Sequence, residues 1–369
     1  MTTKLKILIS GGGTGGHIFP ALSIANEIKD LLPETEFLFV GAEGRMEMDR
    51  VPAAGYKIIG LPIMGFPRKP GVKMLKFFVN LARSMRSARR VVKQFRPDVV
   101  VGVGGYASGP VLRVAANFKF PSLIQEQNSY AGLTNRLLAK RVNKICVAYD
   151  HMDRYFPAAK IVYTGNPVRK NLIEAWSKIE EARAFYKLKD GKKVLLVVGG
   201  SLGAGTLNNS LLKDIELLKK SDFEVIWQTG KYYYQSVLAQ TKKSEIPNIH
   251  IYEFLSRMDL AYVVADLVIS RAGAGTISEL CLMEKACILV PSPNVAEDHQ
   301  TKNALALVEK NAAIMIKDQD AEQRLVTKAL EVIQQEDQLK DLEKNIKLLA
   351  KPNAANDIAK MVIELAQQR

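Results

Sequence analysis

Two glycine-rich turns constrain this chain more than any other feature. Each follows a short apolar run and precedes a helical pattern: KILIS-GGGTGGH at 6–17 and VLLVV-GGSLGAGT at 194–206. Glycine lets backbone approach a ligand closely, and a helix start aims N–H groups at anionic oxygens. One such turn in each half of 369 residues predicts paired nucleotide-type folds with a substrate held between them.

The rest of the chain agrees with that pairing. Apolar runs in the first half read KILIS, FLFVG, DVVVGVG, PSLIQE, KICVAY and KIVYTG. Those in the second read KVLLVVGG, FEVIWQTG, IHIYEF, DLVISRAG and ACILVPSP. Helical patterns such as PALSIANEIKDLL and SELCLMEK fall between them, so the expected class is α/β with doubly wound parallel sheets. Ligands of such sheets bind beyond the C-terminal ends of the strands. TGNPVRKNL (164–172) interrupts the pattern and is the hinge candidate. The expected division is 1–165, 166–350 and a last helix, 351–369, returning to the first domain.

Composition narrows the class further. Three cysteines, Cys146, Cys281 and Cys287, are too few and too scattered for a disulfide framework or a zinc cluster. No run approaches the ~18 apolar residues of a spanning helix, and Lys4 and Lys6 break any signal-peptide pattern, so neither export nor spanning is expected. The formal charge is +14, which attracts anionic partners. Ten Lys or Arg and no acid lie between Met64 and Pro97. There Leu75, Phe78, Ala82, Met85, Val92 and Phe95 keep the spacing of a core stripe. A second row, Met74, Phe77 and Leu81, beside Arg68, Lys69, Lys73 and Lys76, suits a lipid headgroup surface. A solvated basic helix is the alternative. Nucleic acid is not expected as a partner, because the aromatics form no stacking platform.

Gly11, Gly13 and Gly16 fit the dinucleotide spacing literally. The carboxylate that would bind a ribose about 20 residues later is missing, which argues against a nicotinamide enzyme. His17, at the mouth of the turn, can take a proton from a sugar hydroxyl or simply hydrogen-bond the loop. In SRAGAGTISEL (270–280), Thr276 and Glu279 have the spacing of a capping box, a structural reason for both residues. The functional alternative is a carboxylate for ribose hydroxyls, with loop N–H groups on phosphate. His299, Gln300 and Asn303 could face a ligand, and Gln300 suits sugar hydroxyls. Asp318 and Asp320 form an isolated D-x-D after the strand-like AAIMI and are expected at the surface, and His151 with Asp150 and Asp153 resembles a metal cluster only superficially. No metal site is expected.

In order along the chain stand GGGTGGH (11–17), GVGGYASGP (102–110), QEQNSYAGLTNR (125–136), TGNPVR (164–169), GGSLGA (199–204), SRAGAGTISEL (270–280) and EDHQTKNA (297–304). With these motifs the chain closely resembles the MurG family, N-acetylglucosaminyltransferases that convert the first lipid-linked peptidoglycan precursor into the second. The resemblance implies a GT-B architecture, two Rossmann-like domains facing a cleft, and catalysis without metal or cofactor. It makes His17 the leading general base. It places Thr14, Gly15, Gly16, Asn128, Arg169, Ser201, Leu255, Ala274, Gly275, Thr276, Glu279 and Gln300 around the UDP-N-acetylglucosamine donor. Leu255 would meet uracil through its backbone and Glu279 the ribose diol. Gly13, Gly104, Gly105, Tyr106 and Glu126 would contact the acceptor, a polyprenyl-diphosphate-linked muramyl peptide, with its diphosphate near the first turn. Many relatives carry His where this chain has Gln125, so Glu126 stands as the second candidate base.

The resemblance also implies docking of Lys69, Lys73, Met74, Lys76, Phe77 and Leu81 on the anionic cytoplasmic face of the bacterial inner membrane, as a peripheral protein. The expected reaction is inverting transfer of N-acetylglucosamine to the acceptor 4-hydroxyl. The rivals are a UDP-N-acetylglucosamine epimerase of the same fold and a non-catalytic nucleotide-sugar-binding protein at the membrane surface.

Overall fold

The computed structural model describes residues 4–65, 71–169, 171–200, 202–241 and 246–368. It divides into two compact units, Met1–Val168 with Lys351–Arg369, and Arg169–Ala350. Among the described residues no helix is long and apolar enough to cross a membrane.

The first unit is built on a seven-stranded sheet: β1 (Lys6–Ser10), β2 (Glu36–Ala42), β3 (Ile58–Leu61), β4 (Val99–Gly102), β5 (Ser122–Glu126), β6 (Lys144–Val147) and β7 (Ile161–Tyr163). All neighbours pair in parallel, in the order β3-β2-β1-β4-β5-β6-β7. Parallel strands are covered on both faces, which is why KILIS carries Ile7, Leu8 and Ile9 in succession, all fully buried. Each such side chain contributes roughly 1.5–3 kcal/mol of transfer free energy. The helix α1 (Gly15–Leu31) covers one face with the last helix, Ala354–Gln367. Ile18, Ala21, Ile24 and Ile28 there share a core with Ile358, Ala359 and Val362.

One strand was absent from the sequence reading. β3 is an edge strand of four residues interrupted by Gly60, and only Leu61 in it is buried, so its hydrophobic signal is weak.

The second unit repeats the logic with six parallel strands: β8 (Lys193–Val198), β9 (Phe223–Gln228), β10 (Ile249–Tyr252), β11 (Leu267–Ser270), β12 (Cys287–Leu289) and β13 (Ile314–Met315). Their order is β10-β9-β8-β11-β12-β13. Trp227 is fully buried, and its indole N–H donates to Asn208 Oδ1 at 2.9 Å.

In both sheets the chain leaves its first strand in one direction and later returns to the other side. The reversal falls between β1 and β4 in one unit and between β8 and β11 in the other. A crevice opens beyond the strand ends at such a point. The glycine turns that follow β1 and β8 lie there.

The helices α2 (Glu47–Ala53), α3 (Val72–Phe95), α4 (Ser108–Asn117) and α5 (Leu133–Leu138) complete the first unit's connections. α3 packs on α4, with Ser84, Ala88, Val91 and Val92 buried. This corrects the sequence reading of α3. The inward row runs Met74, Phe77, Leu81, Ser84, Ala88 and Val91, with its first three members only partly buried. Leu75 and Phe78, expected in the core, are exposed together with Val72 (86% exposed) and Val79. The polar Ser84 and small Ala88 mark the packed face, because close helix approach needs small residues rather than large apolar ones.

Candidate functional site

In the first unit the crevice is lined by the turn after β1 and the turn after β4. His17 lies in the first turn of α1, and its Nδ1 stands 3.0 Å from Gly12 O and 3.2 Å from Thr14 Oγ1. A carbonyl oxygen can only accept, so Nδ1 carries the proton and the lone pair of the neutral ring is on Nε2. Gly104 has φ +90°, and a Cβ there would sit 2.9 Å from His17 Nε2. A side chain at position 104 would therefore cover the imidazole edge that carries the lone pair. Asn135 Nδ2 is the next neighbour of that point. Tyr106, just beyond, is half exposed.

Asn135 joins His17's surroundings to Glu126. The Glu126 carboxylate accepts from Asn135 Nδ2 at 2.8 Å, Gly132 N at 3.0 Å, Asn128 N at 3.1 Å and Asn128 Nδ2 at 3.3 Å. Only 1% of Glu126 is exposed, and burial pushes its carboxyl above the usual range despite those donors. Both sequence roles for Glu126 call for an accessible carboxylate, whereas here it is enclosed and shapes the 126–135 loop from beneath. Gln125 is likewise buried. Its amide donates to Asn166 Oδ1 at 2.8 Å, its Oε1 accepts from Gln127, and Gln127 also holds Val103 O at 2.8 Å. Position 125 thus faces the interior.

Gly13 departs from expectation too. Its N–H does not point to an external phosphate but donates to Glu47 Oε2 at 2.9 Å. Sequence reasoning missed Glu47, which no spacing rule links to a turn 34 residues away.

In the second unit the turn after β8 is held differently. Gln228 Nε2 donates to Gly200 O at 2.8 Å, and Gly203 N closes back on Gly200 O at 2.9 Å. Ser201 falls outside the described residues, as does Lys69 in the first unit. Across the switch point, the helix Ala274–Leu282 begins at Gly273 with no side-chain cap. The expected capping box is therefore not formed. Thr276 lies inside the first turn, and Glu279 reaches out of the helix to Arg169, whose Nη2 is 2.8 Å and Nε 3.3 Å from Glu279 Oε1. Glu279 Oε2 accepts from Tyr262 O–H at 3.1 Å, and Tyr262 is buried. Burial and the Glu279 charge drive that phenol well above its ordinary pKa, so Tyr262 remains a neutral donor.

Gln300 lies in the first turn of the helix His299–Val308, and its Oε1 accepts from Ser292 N at 2.8 Å, bracing the loop after β12. Asn303, expected to face a ligand, is fully buried near Ala272 O. Leu255 is buried beside an exposed Phe254. Asp318, expected as free surface, accepts from Thr206 Oγ1 at 3.0 Å and pairs with Arg271. It ties the helix Gly205–Lys213 to the end of β11. Among the described residues no group of three or more His, Cys, Asp or Glu is placed to hold a metal ion. On α3, Lys73 and Lys76 are exposed, whereas Met74, Phe77 and Leu81 are partly buried.

Residues 7–147 match the glycosyltransferase family 28 N-terminal domain, and residues 194–360 match the C-terminal domain of that family. A protein of Parabacteroides distasonis is 57% identical over 366 residues, covering 99% of this chain and 100% of its own. One of Bacteroides fragilis is 58% identical over 366 residues, covering 99% and 96%. Both bear the name UDP-N-acetylglucosamine–N-acetylmuramyl-(pentapeptide) pyrophosphoryl-undecaprenol N-acetylglucosamine transferase. The crystal structure of Acinetobacter baumannii MurG aligns at TM-score 0.78 with 26% identity, over 98% of this chain and 99% of that one. A UDP-GlcNAc 2-epimerase from Neisseria meningitidis, bound to UDP-GlcNAc, aligns at TM-score 0.67 with 15% identity over 98% and 100%, a likeness of fold alone.

Proposed function

We propose, because this chain belongs to the MurG family of glycosyltransferase family 28, that it moves N-acetylglucosamine from UDP-N-acetylglucosamine to lipid-linked N-acetylmuramyl-pentapeptide. The sugar goes to the muramyl 4-hydroxyl with inversion. The observation that carries the mechanism is His17, with Nδ1 tied to Gly12 O and the lone pair on Nε2. Nε2 takes the proton from the 4-hydroxyl as that oxygen forms the new bond to the anomeric carbon. The bond from the anomeric carbon to the UDP oxygen breaks with its electron pair, and UDP leaves as the anion.

The donor belongs to the second unit in this reading. Glu279 holds the ribose hydroxyls, and they displace Arg169 from its carboxylate. The released guanidinium then meets the diphosphate together with the N-terminus of the helix Ala274–Leu282. These fixed positive groups stabilise the charge that develops on the leaving oxygen. Uracil lies against the Leu255 backbone, with the Phe254 ring beside it.

The membrane surface is the exposed row of α3, Val72, Leu75, Phe78 and Val79, flanked by Lys73, Lys76, Arg83 and Arg86. It would seat the protein peripherally on the cytoplasmic face of the inner membrane, where the +14 charge meets anionic lipid. Substituting Leu75 and Phe78 by Glu should weaken binding to vesicles containing phosphatidylglycerol by about ten-fold. Transfer to a soluble acceptor should stay unchanged, and undiminished vesicle binding would reject this surface.

The deciding experiment incubates the protein with labelled UDP-N-acetylglucosamine and a lipid-linked muramyl-peptide analogue. A β-linked disaccharide product is expected. Conversion of the donor without acceptor, giving a 2-epimer, would instead establish the epimerase.

A further inference from the structure

We infer that Glu47 is a positioning residue for the transfer, its buried carboxylate fixing the first glycine turn so that Gly12 O meets the His17 ring. This rests on the assignment of His17 as base.

Glu47 is the first residue of α2, and 1% of it is exposed. Oε2 accepts Gly13 N at 2.9 Å, and Oε1 accepts Ala42 N, at the end of β2, also at 2.9 Å. One carboxylate therefore bolts the turn after β1 to the neighbouring strand. Two N–H donors converge on two oxygens, an arrangement that only an ionised carboxylate satisfies in full. A glutamine would turn an NH2 towards one of the donors. The turn is shaped around this group: Gly12 has φ +150°, and a side chain there would collide with the Glu47 carboxylate. Gly105 also packs against Gly12, since a side chain at position 105 would strike Gly12 O. With Glu47 holding the next residue's N–H and Gly105 packed close to it, the Gly12 carbonyl lies 3.0 Å from His17 Nδ1. The tautomer of the base is thus set by an acid that never touches the substrate.

The test compares wild type with Glu47→Gln by steady-state kinetics and by 15N shifts of the His17 ring. The expected result is a fall in kcat of about 100-fold, with donor KM kept within about three-fold. The ring should move from a single Nδ1–H tautomer to a mixture. A kcat within about two-fold of wild type, or an unchanged tautomer, would overturn the inference. A merely structural role would alter stability without moving the tautomer. Circular dichroism and a thermal unfolding transition like that of wild type show whether the variant is folded. If Glu47→Gln does not fold, native-state hydrogen exchange on the wild-type chain decides. The Gly13 amide, on an exposed turn, should exchange at least about ten-fold more slowly than that of Gly16, and equal rates would reject the clamp. If wild type transfers no sugar, the proposed function fails, while the tautomer and exchange measurements still judge Glu47.

Discussion

The two glycine turns look alike in sequence and are held in opposite ways. The turn after β1 is gripped through its N–H by a buried carboxylate, Glu47. The turn after β8 is gripped through its carbonyl, Gly200 O, by the Gln228 amide. The consequences are electrostatic. A carboxylate beneath the first turn takes up the Gly13 N–H that an anion would otherwise use. In the second turn no carboxylate is bound to an N–H among the described residues, so its field favours an anion, as does the nearby helix start. In the proposed function one motif serves a base in one unit and a diphosphate in the other, and the difference lies in what stands behind the glycines.

The sharpest way to break this division of labour is His17→Ala. Turnover should fall by about 10²–10⁴-fold with donor KM little changed. A variant with near-normal kcat would remove the base from the first turn. On the other side, Glu279→Ala should raise donor KM by about ten-fold, close to 1.4 kcal/mol, while transfer at saturating donor survives. A KM unchanged in steady-state assays would take the ribose away from this helix. Gln228→Glu makes the second turn resemble the first by setting a carboxylate against Gly200 O and Glu253 O. It should cost about 1–3 kcal/mol of stability and weaken UDP binding in calorimetry. Unaltered binding would show that the backing residue does not tune the turn. The smallest effect expected is none: EDTA should leave the rate intact, because Arg169 and the helix start supply the positive field. Loss of activity restored by magnesium would reject that account.

Much of the fold was legible because parallel strands are covered on both faces and so read as unbroken apolar runs. β3 escaped since an edge strand with Gly60 lacks that signature. On α3 the error was one of face, not of helix. Leu75 and Phe78 dominate any hydrophobicity count, yet Ser84 and Ala88 mark where the helix packs. The site was legible where its residues are neighbours in sequence, as in GGGTGGH. It was not legible where partners are distant: nothing near Glu279 announces Arg169, 110 residues earlier, and nothing in the first turn announces Glu47. The T-x-x-E spacing even pointed the wrong way, because the ion pair with Arg169 and the Tyr262 hydroxyl hold the carboxylate that a cap would have used.

The last helix carries a consequence for how the chain matures during synthesis. Ile358, Ala359, Val362, Leu365 and Ala366 complete the core begun by Ile7 and Ile9. The first unit is therefore interrupted by the whole of the second and stays unfinished until the helix Ala354–Gln367 has left the ribosome. The inserted unit can settle first, whereas the half made earliest must wait, its apolar sheet face open to chaperones or to wrong partners.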